Sequence, residues 1–239
     1  MNIALVLSGG TGSRLGTKVP KQYLACKGRM MITRCLETVF SHPAMDAVRI
    51  VAVEAWREAI GQELETFIFS QNASLHKKML GFSAPGETRQ YSILSGLRDI
   101  ACKAADEDAV MVHDAARPNL SARLISDCLA ALDGHDGVMP VLPMKDTVYL
   151  SRDGKKVSAL LERREVFAGQ APEFFRLGKY LKANESLPRD KMLALNGATE
   201  PAILAGMDVA LVPGDEANFK VTTAADMERY LTLLTAQLA

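Results

Sequence analysis

The chain runs through Ile3-Ala-Leu-Val-Leu7, five apolar residues in succession, straight into Ser8-Gly-Gly-Thr-Gly-Ser-Arg-Leu-Gly16. A short continuous apolar run closed by turn residues predicts a strand buried on both faces of a parallel sheet. Glycines at the end of such a strand let backbone amides come close to an anion, and successive N–H groups can form a phosphate-binding concavity. In open α/β sheets the ligand crevice lies beyond the carboxyl ends of the strands. One segment therefore predicts both the fold class and the place of its site.

Outward from this loop the pattern alternates. Ile32, Cys35, Leu36, Val39 and Phe40 recur at helical spacing. Residues 48–53 read as the next strand and 55–69 as a helix. A weak strand over 79–82, a helix over 92–101, a strand over 109–113, a helix over 121–132 and a strand over 137–141 follow. Helical stretches at 176–183 and 198–205, a strand at 209–212 and a last helix from Thr222 or Thr223 complete the series. Strands alternating with helices predict one doubly wound, mostly parallel α/β sheet with right-handed crossovers. The rhythm breaks at about 142–164, where 147–150 and 157–160 flank the hairpin turn signal Asp153-Gly154. That segment predicts a β-arm projecting from a single domain spanning 1–239. A two-stranded arm is marginal alone in water, so a second subunit is its natural packing partner.

Composition narrows the function classes. The 239 residues are 48% apolar and 23% charged, with formal net charge zero. No global positive field exists to hold nucleic acid or an anionic membrane, so bound phosphates must be met by local groups. Cys26, Cys35, Cys102 and Cys128 form no CxxC pair and read as reduced, mostly buried thiols of a cytoplasmic protein. The apolar start is too short for a signal peptide, and no run approaches the roughly 20 residues that span a bilayer.

The loop is not a dinucleotide fingerprint, because after Gly10 and Gly12 the third required glycine falls on Leu15. Nor is it a Walker loop, since no Gly-Lys-Ser/Thr follows. It carries Arg14 instead, with Lys21 seven residues later. Two cations beside an amide nest suit a triphosphate whose leaving pyrophosphate gathers charge, and a tight turn with solvated basic residues is the plainer alternative. Asp114 closes the 109–113 strand, where a carboxylate can bind a metal or a ribose hydroxyl; Arg117 is suited to a phosphate. His113 falls on the opposite side of that strand and reads as structural.

The pattern Ser8-Gly-Gly-x-Gly-x-Arg14-Leu-Gly16 followed by Pro20-Lys21-Gln22 resembles the nucleotide-binding loop of the sugar-phosphate nucleotidyltransferase superfamily, whose sheet is Rossmann-like. Pro20-Lys-Gln-Tyr-Leu24 is similar to the form found in cytidylyltransferases of methylerythritol phosphate and ribitol phosphate. The resemblance implies that Ser8, Gly9, Gly10 and Gly12 surround the nucleotide, with Arg14 and Lys21 gripping the CTP phosphates. Gly86 to Leu97, with Arg89 and Ser92, resembles the family's G-x-x-R-x-x-S motif. It implies Gly86 and Ser92 at the cytosine and Arg89 in support; by residue type alone the stretch is a capped helix start. His113-Asp-Ala-Ala-Arg-Pro118 resembles a further motif, implying Asp114 at the ribose and magnesium, and Arg117 at the acceptor phosphate. Thr147 and Arg163 match arm positions that reach across a dimer to the acceptor, with Arg163 and Arg164 one register apart. Asn218-Phe-Lys-Val-Thr222 implies Lys220 at the transferred phosphate, on what reads as a late strand.

The chain departs from the family at Gln170-Ala-Pro-Glu173, where Q-T-P-Q is usual, and at Thr199-Glu-Pro-Ala-Ile203. Gly169-Gln170 is closer to the ribitol branch and Asp114-Ala-Ala-Arg-Pro118 to the methylerythritol branch. The resemblance implies an enzyme that uses CTP and magnesium, or another divalent cation, to make a CDP-polyol from a C5 polyol phosphate. The acceptor would be 2-C-methyl-D-erythritol 4-phosphate or ribitol 5-phosphate. A nucleotidyltransferase for UTP or GTP, and a nucleotide-binding module without catalysis, are the rival readings.

Overall fold

The structure, a computed structural model, describes residues 1–10 and 19–237. Gly12 and Arg14 of the glycine-rich loop lie outside the described residues. Eight strands form the main sheet. Its parallel part is built from β1 (Asn2–Leu7), β4 (Ala47–Val51), β5 (Met79–Ser83) and β6 (Ala109–Asp114), with β1 between β4 and β6 and β5 outside β4. A small hairpin, β2 (Ala25–Cys26) and β3 (Arg29–Met30), lies between β1 and β4 in sequence. Beyond β6 come β7 (Gly137–Pro143), the arm strands β8 (Tyr149–Leu150) and β9 (Ala159–Leu160), β10 (Phe167–Gly169), β11 (Glu173–Arg176) and β12 (Val209–Pro213). β12 pairs in parallel with β7.

The helices are α1 (Met31–Ser41), α2 (Glu54–Leu64, continued by a π turn to Phe69), α3 (Arg89–Ala101), α4 (Ala122–Ala131), α5 (Leu177–Glu185), α6 (Arg189–Ala194), α7 (Glu200–Leu204) and α8 (Ala224–Gln237). They cover both faces of the sheet, and β1 shows why. Successive side chains of a strand point to opposite faces. Ala4 and Val6 pack with Ile32, Leu36 and Val39 of α1 and with Leu124 and Ile125 of α4. Ile3 and Leu5 pack with Ile93, Leu97 and Ile100 of α3 and with Tyr180 of α5. A strand apolar at every position has both faces to bury, as its unbroken hydrophobic run predicts.

The expected mostly parallel α/β sheet with flanking helices is present, with specific corrections. Helix α3 begins at Arg89, not Ser92, because the Thr88 side chain caps the Tyr91 amide. The 198–205 helix shortens to α7, and α6 lies in a stretch with no predicted helix. The larger miss is antiparallel. β11 pairs with both β6 and β7, and β10 pairs with the end of β7, all antiparallel. The arm forms as a hairpin with Gly154 at φ +70°, a left-handed conformation that glycine adopts without strain. Among the described residues, no helix is long and apolar enough to cross a membrane.

Candidate active site

The carboxyl ends of β1 and β6 open into a cleft of about 450 Å³. From the predicted residues, Ser8, Gly9, Gly10, Lys21, Gly86, Arg89, Ser92, Asp114 and Lys220 all line it. Arg117, Thr147 and Arg163 do not.

The glycine-rich loop is shaped by the segment after it. Gln22 Nε2 donates to the carbonyls of both Ser8 and Gly10 at 2.6 Å, and Tyr23 Oη donates to the Ser8 carbonyl at 2.7 Å. In a trans peptide the C=O and the following N–H point in opposite directions. Holding the Ser8 carbonyl toward Gln22 and Tyr23 therefore turns the Gly9 amide the other way. Ser8 is tied to the sheet through its amide and hydroxyl, both donating to the Val51 carbonyl. Gly9 has no room for more, since an added Cβ would lie 2.5 Å from Pro85 Cβ.

The opposite wall is the start of α3. Ser92 Oγ accepts from the Gly86 amide at 3.0 Å and donates to the Thr88 carbonyl at 2.9 Å. The hydroxyl thus braces the 86–88 turn against the helix. A Cβ on Gly86 would run into Tyr91, so this turn requires glycine for closeness.

Charge concentrates on the floor. Asp114, at the end of β6, is 7% exposed. Its Oδ1 accepts from Arg89 Nε at 3.0 Å, and its Oδ2 pairs with Lys220 Nζ at 2.8 Å. Burial alone would raise its pKa, but Arg89, Lys220 and Arg117 outweigh burial and hold it well below the usual carboxylate range. Lys220 sits in a loop, not a late strand. That loop is fixed by the Val221 amide donating to the Ala116 carbonyl, and by Lys21 Nζ donating to the Val221 carbonyl at 2.6 Å. Arg117 turns beneath the same loop, giving Nη1 to the Asn218 carbonyl at 2.7 Å, and Asn218 Nδ2 donates to the Ala171 carbonyl. His113 is fully buried, with Nε2 at 3.1 Å from the Arg117 carbonyl; burial lowers its pKa to about 4, so it stays neutral near pH 7.

Thr147 and Arg163 belong to the exposed arm, where Arg163 Nη1 donates to the Lys145 carbonyl at 2.8 Å. Sequence reasoning gave no role to Gln22, Tyr23 or Glu173. The first two stood in the Pro20–Leu24 motif, which was the available signal. Glu173 stood in a departure from the family pattern and carried no signal of burial. It lies 7% exposed on β11, with Oε2 at 3.6 Å from Arg89 Nη2.

Asp114 and Glu87 are the acidic residues lining the cleft, and among the described residues no group of three or more His, Cys, Asp and Glu could hold a metal ion. Magnesium commonly binds through one or two carboxylates plus substrate phosphates, so Asp114 beside the Ser8–Gly10 turn fits such an ion together with a phosphate ligand.

Compared with known proteins, residues 2–235 match the family model described as IspD, 2-C-methyl-D-erythritol 4-phosphate cytidylyltransferase. The enzyme of that name from Chromobacterium violaceum is 34% identical over 98% of this chain and 98% of its own. A ribitol-5-phosphate cytidylyltransferase from Streptococcus agalactiae is 30% identical over 99% and 97%. The crystal structure of 4-diphosphocytidyl-2C-methyl-D-erythritol synthase from Anaerococcus prevotii superposes with a TM-score of 0.79 at 22% identity, covering 98% of this chain and 96% of its own.

Proposed function

The chain belongs to the 2-C-methyl-D-erythritol 4-phosphate cytidylyltransferase family and is a nucleotidyltransferase, and on that premise we propose that it transfers the cytidylyl group of CTP to 2-C-methyl-D-erythritol 4-phosphate. The observation that carries this reading is the meeting, in one cleft, of the Ser8–Gly10 turn, Lys21 and the Arg89–Asp114–Lys220 charge set. An oxygen of the acceptor phosphate attacks the α-phosphorus of CTP in line. The bond from that phosphorus to the bridging oxygen breaks, pyrophosphate leaves, and the CDP-polyol remains. The attacking phosphate is already an anion, so no strong base is needed. Positioning and charge neutralisation supply the rate.

In this reading Ser8, Gly9, Gly10 and Gly12 turn backbone amides toward the triphosphate, Arg14 and Lys21 hold the leaving pyrophosphate, and Lys220 meets the pentavalent phosphorus. Gly86 and Ser92 shape the base pocket, and Arg89 keeps Asp114 in place. Asp114 would hold a magnesium ion together with the nucleotide. When bound, that ion neutralises negative charge on the triphosphate. Arg117, Thr147 and Arg163 receive the acceptor, the last two from the arm of a second subunit in a homodimer. The chain acts as one unit, 1–239, in the cytoplasm.

The test is pyrophosphate release with CTP and magnesium, offering 2-C-methyl-D-erythritol 4-phosphate and ribitol 5-phosphate in parallel. Turnover with the first is expected. Turnover with the second alone would reassign the acceptor, and CTP binding without release for either would make the chain a nucleotide-binding module.

A further inference from the structure

Glu173 has no place in the reaction just described, yet it is the second carboxylate beneath the cleft. It projects from β11 at the position paired with Val112 of β6, two residues before Asp114. Its Oε2 makes no hydrogen bond, and it faces Arg89 Nη2 at 3.6 Å, too long for one. Arg89 thereby divides its guanidinium between two buried carboxyl groups. Nε goes to Asp114 and Nη2 toward Glu173, while Nη1 has no partner. The charged and titratable groups acting on Glu173 come from every side: Arg89 on α3, Asp114 on β6, Arg117 after β6, and the Tyr180 phenol of α5.

The charges can be counted. On the floor of the cleft and just beneath it, Arg89, Lys220 and Arg117 act on Asp114. Without Glu173 this set carries a net charge of two positive units, from three cations and one anion; an ionised Glu173 halves it. A buried carboxylate is weakly screened by solvent or salt, so it opposes a polyanion in the cleft. It also competes with the polyanion for Arg89, the cation nearest to it.

Resting on the reading that this cleft takes a nucleoside triphosphate, we propose that Glu173 is a positioning residue that restrains Arg89 and weakens the grip of the cleft on the triphosphate, setting the affinity for CTP without touching it. Weakening the grip on the triphosphate equally in the ground and transition states raises KM and leaves turnover intact at high substrate. A unit charge acting across about 10 Å at an effective dielectric of about 20 changes affinity on the order of tenfold.

The experiment is titration calorimetry of the full chain with CTP, and separately with inorganic tripolyphosphate, for wild type, Glu173→Gln and Glu173→Met at mildly alkaline pH. Melting curves show that each variant is folded, and the methionine variant stands in if the glutamine one is not. Both variants should bind both probes on the order of tenfold more tightly. In turnover, KM for CTP should fall while kcat and the acceptor KM hold. Equal or weaker binding by the folded variants would overturn the proposal, as would a shift in kcat without one in KM. If wild type binds tripolyphosphate and no nucleotide, the cytidylyltransferase reading fails, and the tripolyphosphate series still decides the role of Glu173.

Discussion

Asp114 is held between Arg89 and Lys220 at 3.0 and 2.8 Å, and this pairing fixes what each substitution on the floor should do. In the proposed reaction Lys220→Ala removes the charge that meets the transferred phosphorus. Losing one such electrostatic contact typically lowers turnover about 10²–10³-fold, so kcat/KM for pyrophosphate release should fall by that much in a folded protein. Near-normal kcat/KM would take Lys220 out of the reaction. The two acids should respond oppositely to pH. Asp114 has a folded pKa depressed from 3.8, so its contribution to stability is present above that value and fades on acidification. Glu173 has a folded pKa raised from 4.5 to about 7, chiefly by burial. A raised acid contributes fully below its unfolded value and loses that contribution as pH rises through its folded one. Glu173→Gln mimics the protonated form. Its Tm relative to wild type should therefore climb between about pH 5 and pH 8; a flat difference would show that Glu173 is ionised throughout. Asp114 was legible in the sequence because an acid directly after an apolar strand must sit at the strand's end. Glu173 was not, because the four residues of β11 are too few to show a period.

Gln22 and Tyr23, in one turn of 3-10 helix over Lys21–Tyr23, act on the strand-end loop as a unit. Gln22→Leu removes the amide that bonds the carbonyls of buried Ser8 and exposed Gly10, although Tyr23 still reaches Ser8. Ser8 keeps Tyr23 and Gly10 meets solvent, so the loss is that of ordinary hydrogen bonds, about 0.5–1.5 kcal/mol of stability each. If the loop cradles phosphates, KM for CTP should rise with the acceptor KM unchanged, and a variant that loses stability alone would leave the loop a structural turn. Thr88→Ala should act similarly on the facing wall, costing about 1 kcal/mol through the lost cap of α3. Elements with strong periods, such as β1, α1 and β6, were readable because their side chains meet one or two covered faces. The β10–β11 strand was not. It is broken around Gln170-Ala171-Pro172, and its antiparallel course inside a parallel sheet depends on β6 and β7, which are distant in sequence. Lys220 was placed by resemblance alone, since its loop is set by bonds to Ala116 and Lys21 that no local pattern encodes.

At the scale of the molecule the arm is the unfinished part. Tyr149, Val157 and Leu160 are 60%, 68% and 66% exposed on the arm, whose two strands among the described residues form a sheet of their own apart from the main one. Such ribbons are marginal in water, and apolar side chains clustered on one are the surface a partner covers. Meanwhile Thr147 and Arg163 lie on the arm and off the cleft wall of their own chain. Both facts are met together if each arm packs on a second copy and completes the acceptor half of that copy's site, and subunit mixing tests the arrangement. Lys220→Ala and Arg163→Ala should each be nearly inactive alone. In a mixed dimer the Arg163→Ala subunit keeps its own Lys220 and receives an intact Arg163 from its partner, so one site works. Random reassembly of equal amounts should then restore about a quarter of wild-type activity, half the dimers being mixed with one working site each. Light scattering should meanwhile give the mass of two chains, and Leu160→Asp should shift it toward one. Recovery of no activity on mixing, with dimers present, would place Arg163 outside the partner's site, while a monomeric wild type at micromolar concentration would remove the dimer itself.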